Sequence, residues 1–157
     1  MAHHRLSANA AIIDKGRILL IEFHDADGLH FNLPGGGLDP GENTIEGLRR
    51  ECLEEACVEV DVGRLLLVWE YEPQRSALKY GPQAKIAVVY ACTLKSGSSP
   101  RLPIKPDPNQ TGVRWVSLTD LATLTPPQLP PIFPDISKEL LQALQTGQTI
   151  DHVIGAR

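Results

Sequence analysis

The sequence predicts a mixed β-sheet packed between helices, an α/β layered domain. Three observations point there. Apolar and β-branched runs flank a tight turn near the N-terminus, one amphipathic helix stands in the first half of the chain, and strand-like runs return far downstream of it. At 157 residues and 42% hydrophobic content the chain suits one compact core and is read as a single domain, 1–157.

Leu6 to Ile13 and Arg17 to Phe23 flank Asp14-Lys15-Gly16, whose small polar members suit the turn of an antiparallel hairpin. His24 to His30 carries Asp25, Asp27 and Gly28 and reads as a polar loop leading to Phe31-Asn32-Leu33-Pro34 and a glycine cluster. Asn43 is a good N-cap with Glu46 as its capping-box partner, and helical spacing runs on to about Cys57. Val58 to Glu72 reads as strand interrupted by a bulge or turn at Gly63, and Pro73 ends it. Lys85 to Leu94 is nearly all apolar and predicts a central strand buried on both faces. Residues 95–112 are rich in proline and read as loop. Val113 to Val116 is a short strand, and Ser117 caps a brief helix ending at Leu121. A proline-rich linker from Pro126 to Pro134 precedes a last helix, opened by Asp135 and stopped by Gly147, with Ile136, Leu140, Leu141 and Leu144 at helical spacing.

Composition narrows the function. A net charge of −4 argues against long nucleic acid as a partner. No apolar run approaches the roughly 20 residues needed to cross a bilayer, so no membrane association is expected. The N-terminus lacks the pattern of a signal peptide, and a cytoplasmic location is expected. Cys52, Cys57 and Cys92 form no close-spaced pair and read as buried thiols. His3 and His4 are given no role.

The chemistry concentrates in Gly36 to Val58. Glu51, Glu54 and Glu55 stand at i, i+3 and i+4 and share one side of a helix, while Ile45, Leu48, Cys52 and Ala56 form a stripe that can bury itself. Taken alone, the acids read most simply as a solvated face, with Glu46 paired to Arg50 four residues on. The loop before the helix changes that reading. Gly35, Gly36, Gly37 and Gly41 permit a close backbone approach, and Pro40-Gly41 turns Glu42 towards Arg50 and the acids. Converging glutamates match a hard divalent cation, which prefers oxygen ligands and keeps substrate phosphates in its shell; zinc is disfavoured. Neither a P-loop nor a dinucleotide fingerprint is present.

This segment resembles the Nudix box, with Gly36, Glu42, Arg50, Glu51, Glu54, Glu55 and Val58 in register. Cys52 replaces an aliphatic residue conservatively, and Cys57 replaces a glycine, which makes a left-handed helix end less comfortable. Leu33-Pro34 and Arg114-Trp115-Val116, with Leu118 and Leu121, are similar to further family features. The resemblance implies a Nudix-type α/β/α sandwich and a hydrolase that cuts a diphosphate linkage with water. It implies Mg²⁺, with Mn²⁺ as a second option, held by Glu51, Glu54, Glu55 and Gly36, while Arg50 and Glu42 organise the loop. Many members carry a late glutamate before the tryptophan; here Asn109 and Gln110 stand instead, so the base must be a box glutamate or Asp107, which reads more simply as a turn residue.

The expected substrate is a small nucleoside diphosphate derivative, such as ADP-ribose, a nucleotide sugar or a nucleoside triphosphate, lying on Gly36, Gly37, Trp69 and Tyr71. Trp69 and Tyr71 share a strand face and can stack on a base, although alternating aromatics in a strand are more often core. Arg75, Lys79 and Lys85 can hold phosphate or simply be solvated. Pro73 resembles a marker of ADP-ribose-preferring members but reads more plainly as a strand terminator. The resemblance allows a homodimer. Two other classes stay open: a catalytically silent domain that binds a nucleotide or a protein, and an isomerase.

Overall fold

The computed structural model describes residues 3–26, 28–74 and 82–121, with 142, 146, 153 and 154. Eight strands form a mixed sheet: β1 (Arg5–Asp14), β2 (Arg17–Asp25), β3 (Gly28–Asn32), β4 (Gly35–Gly37), β5 (Val60–Tyr71), β6 (Lys85–Leu94), β7 (Gln110–Ser117) and β8 (Val153–Ile154). Two helices are described, α1 (Thr44–Ala56) and the short α2 (Leu118–Leu121). The main path runs β3-β2-β1-β6-β5-β8, with β4 added to β1 and β7 to β2.

The expected hairpin is β1–β2. Lys15 and Gly16 both take positive φ, 48° and 73°, as a turn whose twist matches the strands requires. The two strands stay paired only at Ile13↔Ile18 and Asp14↔Arg17. Beyond that point β1 pairs with β4 on one side and, in parallel, with β6 on the other. The sheet therefore splits beside β1, and the split makes room for a cleft.

Alternation along β1 assigns its faces. Ala8, Ala10 and Ile12 pack beneath α1 with Leu48, Cys52 and Ala56. Ile45 was expected on this stripe but stays 38% exposed, because the first helical turn precedes the buried contact that begins at Gly47 and Leu48. The second core, on the other face, gathers Leu20, Leu33, Leu66, Leu67, Trp69, Tyr71, Val89 and Leu121.

Several elements differ from expectation. The stretch read as loop from His24 includes the end of β2 and most of β3, and the glycine cluster itself forms β4 against β1. β7 begins at Gln110, three residues early, where it pairs with Phe23 past an irregularity in β2. β5 and β6 match the expected strands, with register shifts on both sides of Leu65 close to Gly63. β6 is less completely buried than foreseen, with Ala87, Val89 and Cys92 buried and its other residues only partly so or exposed. Cys52 and Cys92 are buried free thiols, while Cys57 is half-buried. The linker at 126–134 lies outside the described residues, as does the last helix apart from helical Gln142 and Thr146.

Candidate functional site

α1 begins as its sequence dictates. The Asn43 side chain accepts from the Ile45 and Glu46 N–H groups, and the Asn43 N–H donates to the Glu46 carboxylate at 2.9 Å. Glu46 is thus committed to the cap, and the Glu46–Arg50 pair expected from spacing does not form. Arg50 instead grips Glu42 with two hydrogen bonds, Nε to Oε1 at 2.7 Å and Nη2 to Oε2 at 3.0 Å. Its Nη2 also donates to the Gly37 carbonyl at 3.0 Å. Its Nη1 stands between Glu51 and Glu54, at 3.0 and 3.1 Å. One guanidinium therefore ties the glycine loop to the acidic helix. The Arg50 bond, first, and the Asp39 N–H hold the Glu42 carboxyl down at about 2.

The three helix acids differ in environment. Glu54 is the most exposed, with 57% of its side chain open to solvent against 14% for Glu51. Burial pushes the Glu51 carboxyl up, against the pull of Arg50. Glu55 is buried, and its Oε2 accepts from the Gly35 N–H at 2.8 Å. Burial, only partly opposed by that bond, pushes Glu55 up to about 8, and the charges of Glu51, Asp107 and Glu54 add to the effect. Arg50 compensates Glu51 and Glu54, whereas Glu55 is held by the Gly35 N–H.

The glycines make this proximity possible. Gly35 has φ 143°, and a Cβ there would strike the backbone of Ala8 and Asn9. A Cβ on Gly36 would stand 2.5 Å from Glu51 Oε1, so the bare backbone of Gly36 lies against that carboxylate. A Cβ on Gly37 would strike the Arg5 guanidinium.

Beside these residues opens a cleft of ≈ 220 Å³. Gly35, Gly36, Gly37 and Glu55 line it together with Asn9, Asn32, Trp69, Arg5 and Lys85. Trp69 borders the cleft but is 1% exposed and packs in the core, the plainer of the two readings of this aromatic pair. Tyr71 does not line the cleft: it is 0% exposed in the core and stacks on Trp69 with ring centroids 5.9 Å apart. Pro73, buried, follows β5 in a turn, while Arg75 and Lys79 lie outside the described residues.

Residue reasoning missed Arg5, Asn9 and Asn32. A signal was present, because Arg5, Ser7 and Asn9 alternate with Leu6, Ala8 and Ala10 and so place three polar groups on one face of an inner strand. It also missed how Gln110 serves the site: its Nε2 donates to the Glu55 carbonyl at 2.7 Å and holds the end of α1. Asp107 is a turn residue, its carbonyl accepting from the Gln110 N–H at 3.0 Å, yet its charge reaches both Glu51 and Glu55.

Hard oxygen donors, two of them partly or largely desolvated, fit a divalent cation in chemistry. Among the described residues no three His, Cys, Asp or Glu side chains are already gathered about one point. Glu51 and Glu54 each bond Arg50 Nη1 through one oxygen, Oε1 and Oε2 respectively.

The chain matches the NUDIX domain over residues 3–138. It is similar in structure to a UDP-X diphosphatase (TM-score 0.70, 21% identity, covering 97% of this chain and 68% of that one). It is also similar to an ADP-ribose pyrophosphatase from Streptococcus suis 89-1591 (TM-score 0.66, 20% identity, 98% and 100% covered). A MutT NUDIX hydrolase from Burkholderia pseudomallei gives a TM-score of 0.68 at 28% identity, with 89% and 97% covered. No curated protein matches the chain.

Proposed function

Because this chain belongs to the Nudix family and is a hydrolase of that family, we propose that it uses Mg²⁺, or Mn²⁺ in its place, to hydrolyse the diphosphate linkage of a small nucleoside diphosphate derivative. The observation that carries this reading is the meeting of buried Glu55, which lines the cleft, and half-buried Glu51 with the glycine strand. Glu51, Glu54 and Glu55, with the Gly36 backbone beside them, would hold the metal. When bound, the ion supplies charge for the diphosphate oxygens and lowers the pKa of a water.

The chain's own residues do the rest. Arg50 and Glu42 hold the loop against the helix, and the Gly35 N–H fixes Glu55. The cleft lined by Asn9, Asn32 and Leu33 would receive the nucleoside moiety. Water oxygen bonds to one phosphorus, the bridging P–O bond breaks with its electron pair going to the leaving phosphate, and a carboxylate takes the water's proton. Similarity to proteins described as a UDP-X diphosphatase and an ADP-ribose pyrophosphatase supports this substrate class.

Incubating the protein with ADP-ribose, nucleotide sugars and nucleoside triphosphates, with and without Mg²⁺, tests the reading. Metal-dependent release of a phosphate monoester is expected. Binding without product points to a silent domain, and rearranged substrate with no phosphate product points to an isomerase.

A further inference from the structure

The cleft is electrostatically two-ended. Its acidic end is Glu55, and its other end carries Arg5 and Lys85, register partners across the parallel pairing of β1 and β6. The Arg5 N–H donates to the Ala84 carbonyl at 2.8 Å, which fixes the two strands at this point. The Arg5 guanidinium lies over Gly37, in space that only a missing side chain leaves open. Among the described residues no carboxylate pairs with Arg5 or Lys85. Burial first, and then the charge of Arg5, push the Lys85 ammonium down from its ordinary value.

Position along the strands separates this pair from the metal end. Asn9 pairs with Gly35, which binds Glu55, whereas Gly37 pairs with Ser7, and Arg5 lies two residues further along β1. At about 3.3 Å per residue, the pair stands roughly 7 to 13 Å along β1 from the register at which Glu55 is held. At the longer of these separations, that of the Arg5–Lys85 register, a single diphosphate engaged at Glu55 falls short of the pair. A cation pair on a cleft wall, one member a fork of donors and the other a point charge, suits an oxyanion.

We propose that Arg5 and Lys85 form a subsite for a second anionic group, a phosphate or carboxylate carried by the substrate outside the diphosphate that is cleaved. This rests on the hydrolase reading for the location of the cleaved group and extends it by naming what the far end selects. The subsite makes substrates bearing such a group bind more tightly than otherwise identical molecules without one.

Two matched pairs test it and separate the two sources of charge: ADP-ribose against its 2′-phosphate, and UDP-glucose against UDP-glucuronate. Affinities are measured by calorimetry with chelator present, so that the answer does not depend on turnover. In at least one pair the anion-bearing member is expected to bind at least about fivefold more tightly. In Arg5→Ala and Lys85→Ala, checked for folding by circular dichroism, that advantage is expected to fall within about twofold. Arg5→Lys should retain part of it, which a purely structural role would not explain. Equal affinities within both pairs, no measurable binding by any of the four, or an advantage that survives both alanine variants would overturn the proposal. Hydrolysis of the same four compounds with Mg²⁺ is scored separately. Its absence counts against the hydrolase reading, while the affinity ratios still decide the subsite.

Discussion

Glu55 sits where a carboxylate is poorly solvated, held by one backbone N–H at 2.8 Å and surrounded by other acids. Its raised pKa means that the ionised form works against folding at neutral pH. Glu55→Gln keeps an oxygen for the Gly35 N–H, so its melting temperature should equal or exceed that of the wild type. Turnover should nevertheless drop by about a hundredfold or more, since a neutral amide holds no cation. Calorimetry and a steady-state assay on one preparation check both halves, and a well-folded variant with normal turnover would remove Glu55 from the site. The neighbouring glycines separate fold from chemistry in the same way. Gly36→Ala meets only the movable end of Glu51 and should cost activity with little change in melting temperature. Gly35→Ala meets backbone at an unfavourable φ and should unfold at markedly lower temperature. At this scale the sequence revealed which acids share one side of α1, because helical spacing is rigid. It did not reveal that Glu46 serves the cap, that Arg50 reaches back to Glu42, or that Arg5 rests on Gly37, since those depend on how the loop folds over the helix.

Helix α1 is the best-specified element, with its capping box formed by Asn43 and Glu46 as their spacing predicts. Asn43→Ala removes the acceptor for two N–H groups and should lower stability by about 1 kcal/mol. The other end shows a conflict readable from composition: Cys57 adopts φ 56° and ψ 35°, a left-handed cap that glycine fills without strain. Cys57→Gly should therefore raise stability by roughly 0.5 to 1 kcal/mol, and urea unfolding of both variants measures these opposite effects. The hairpin, β5 and β6 were legible because apolar patterning is local. β3 and β4 were not. Their residues carry little strand propensity, and they become strands by pairing with β2 and β1, a tertiary effect that outweighs local preference.

Across the whole molecule, the metal and proton equilibria should both appear in stability. A cation that binds the folded state alone adds stability by mass action, so millimolar Mg²⁺ should raise the melting temperature by several degrees over chelator in the wild type, and much less in Glu55→Gln. Equal shifts would place the ion elsewhere. The Glu42–Arg50 clamp sets a second dependence. Because the Glu42 carboxyl falls from 4.5 to about 2, its stabilisation is complete above 4.5 and fades as pH drops towards 2. The lead of the wild type over Glu42→Gln in acid denaturation should shrink across that window. The parallel union of β1 with β6 has a kinetic consequence as well. It joins residues such as Arg5 and Lys85 across long stretches of chain, and such distant contacts are slow to establish. A growing polypeptide that has emerged only as far as α1 already owns its acidic residues but still lacks the part of the lining that β5 and β6 bring. Competence must then arrive late in synthesis, when β6 closes against a first strand made long before it.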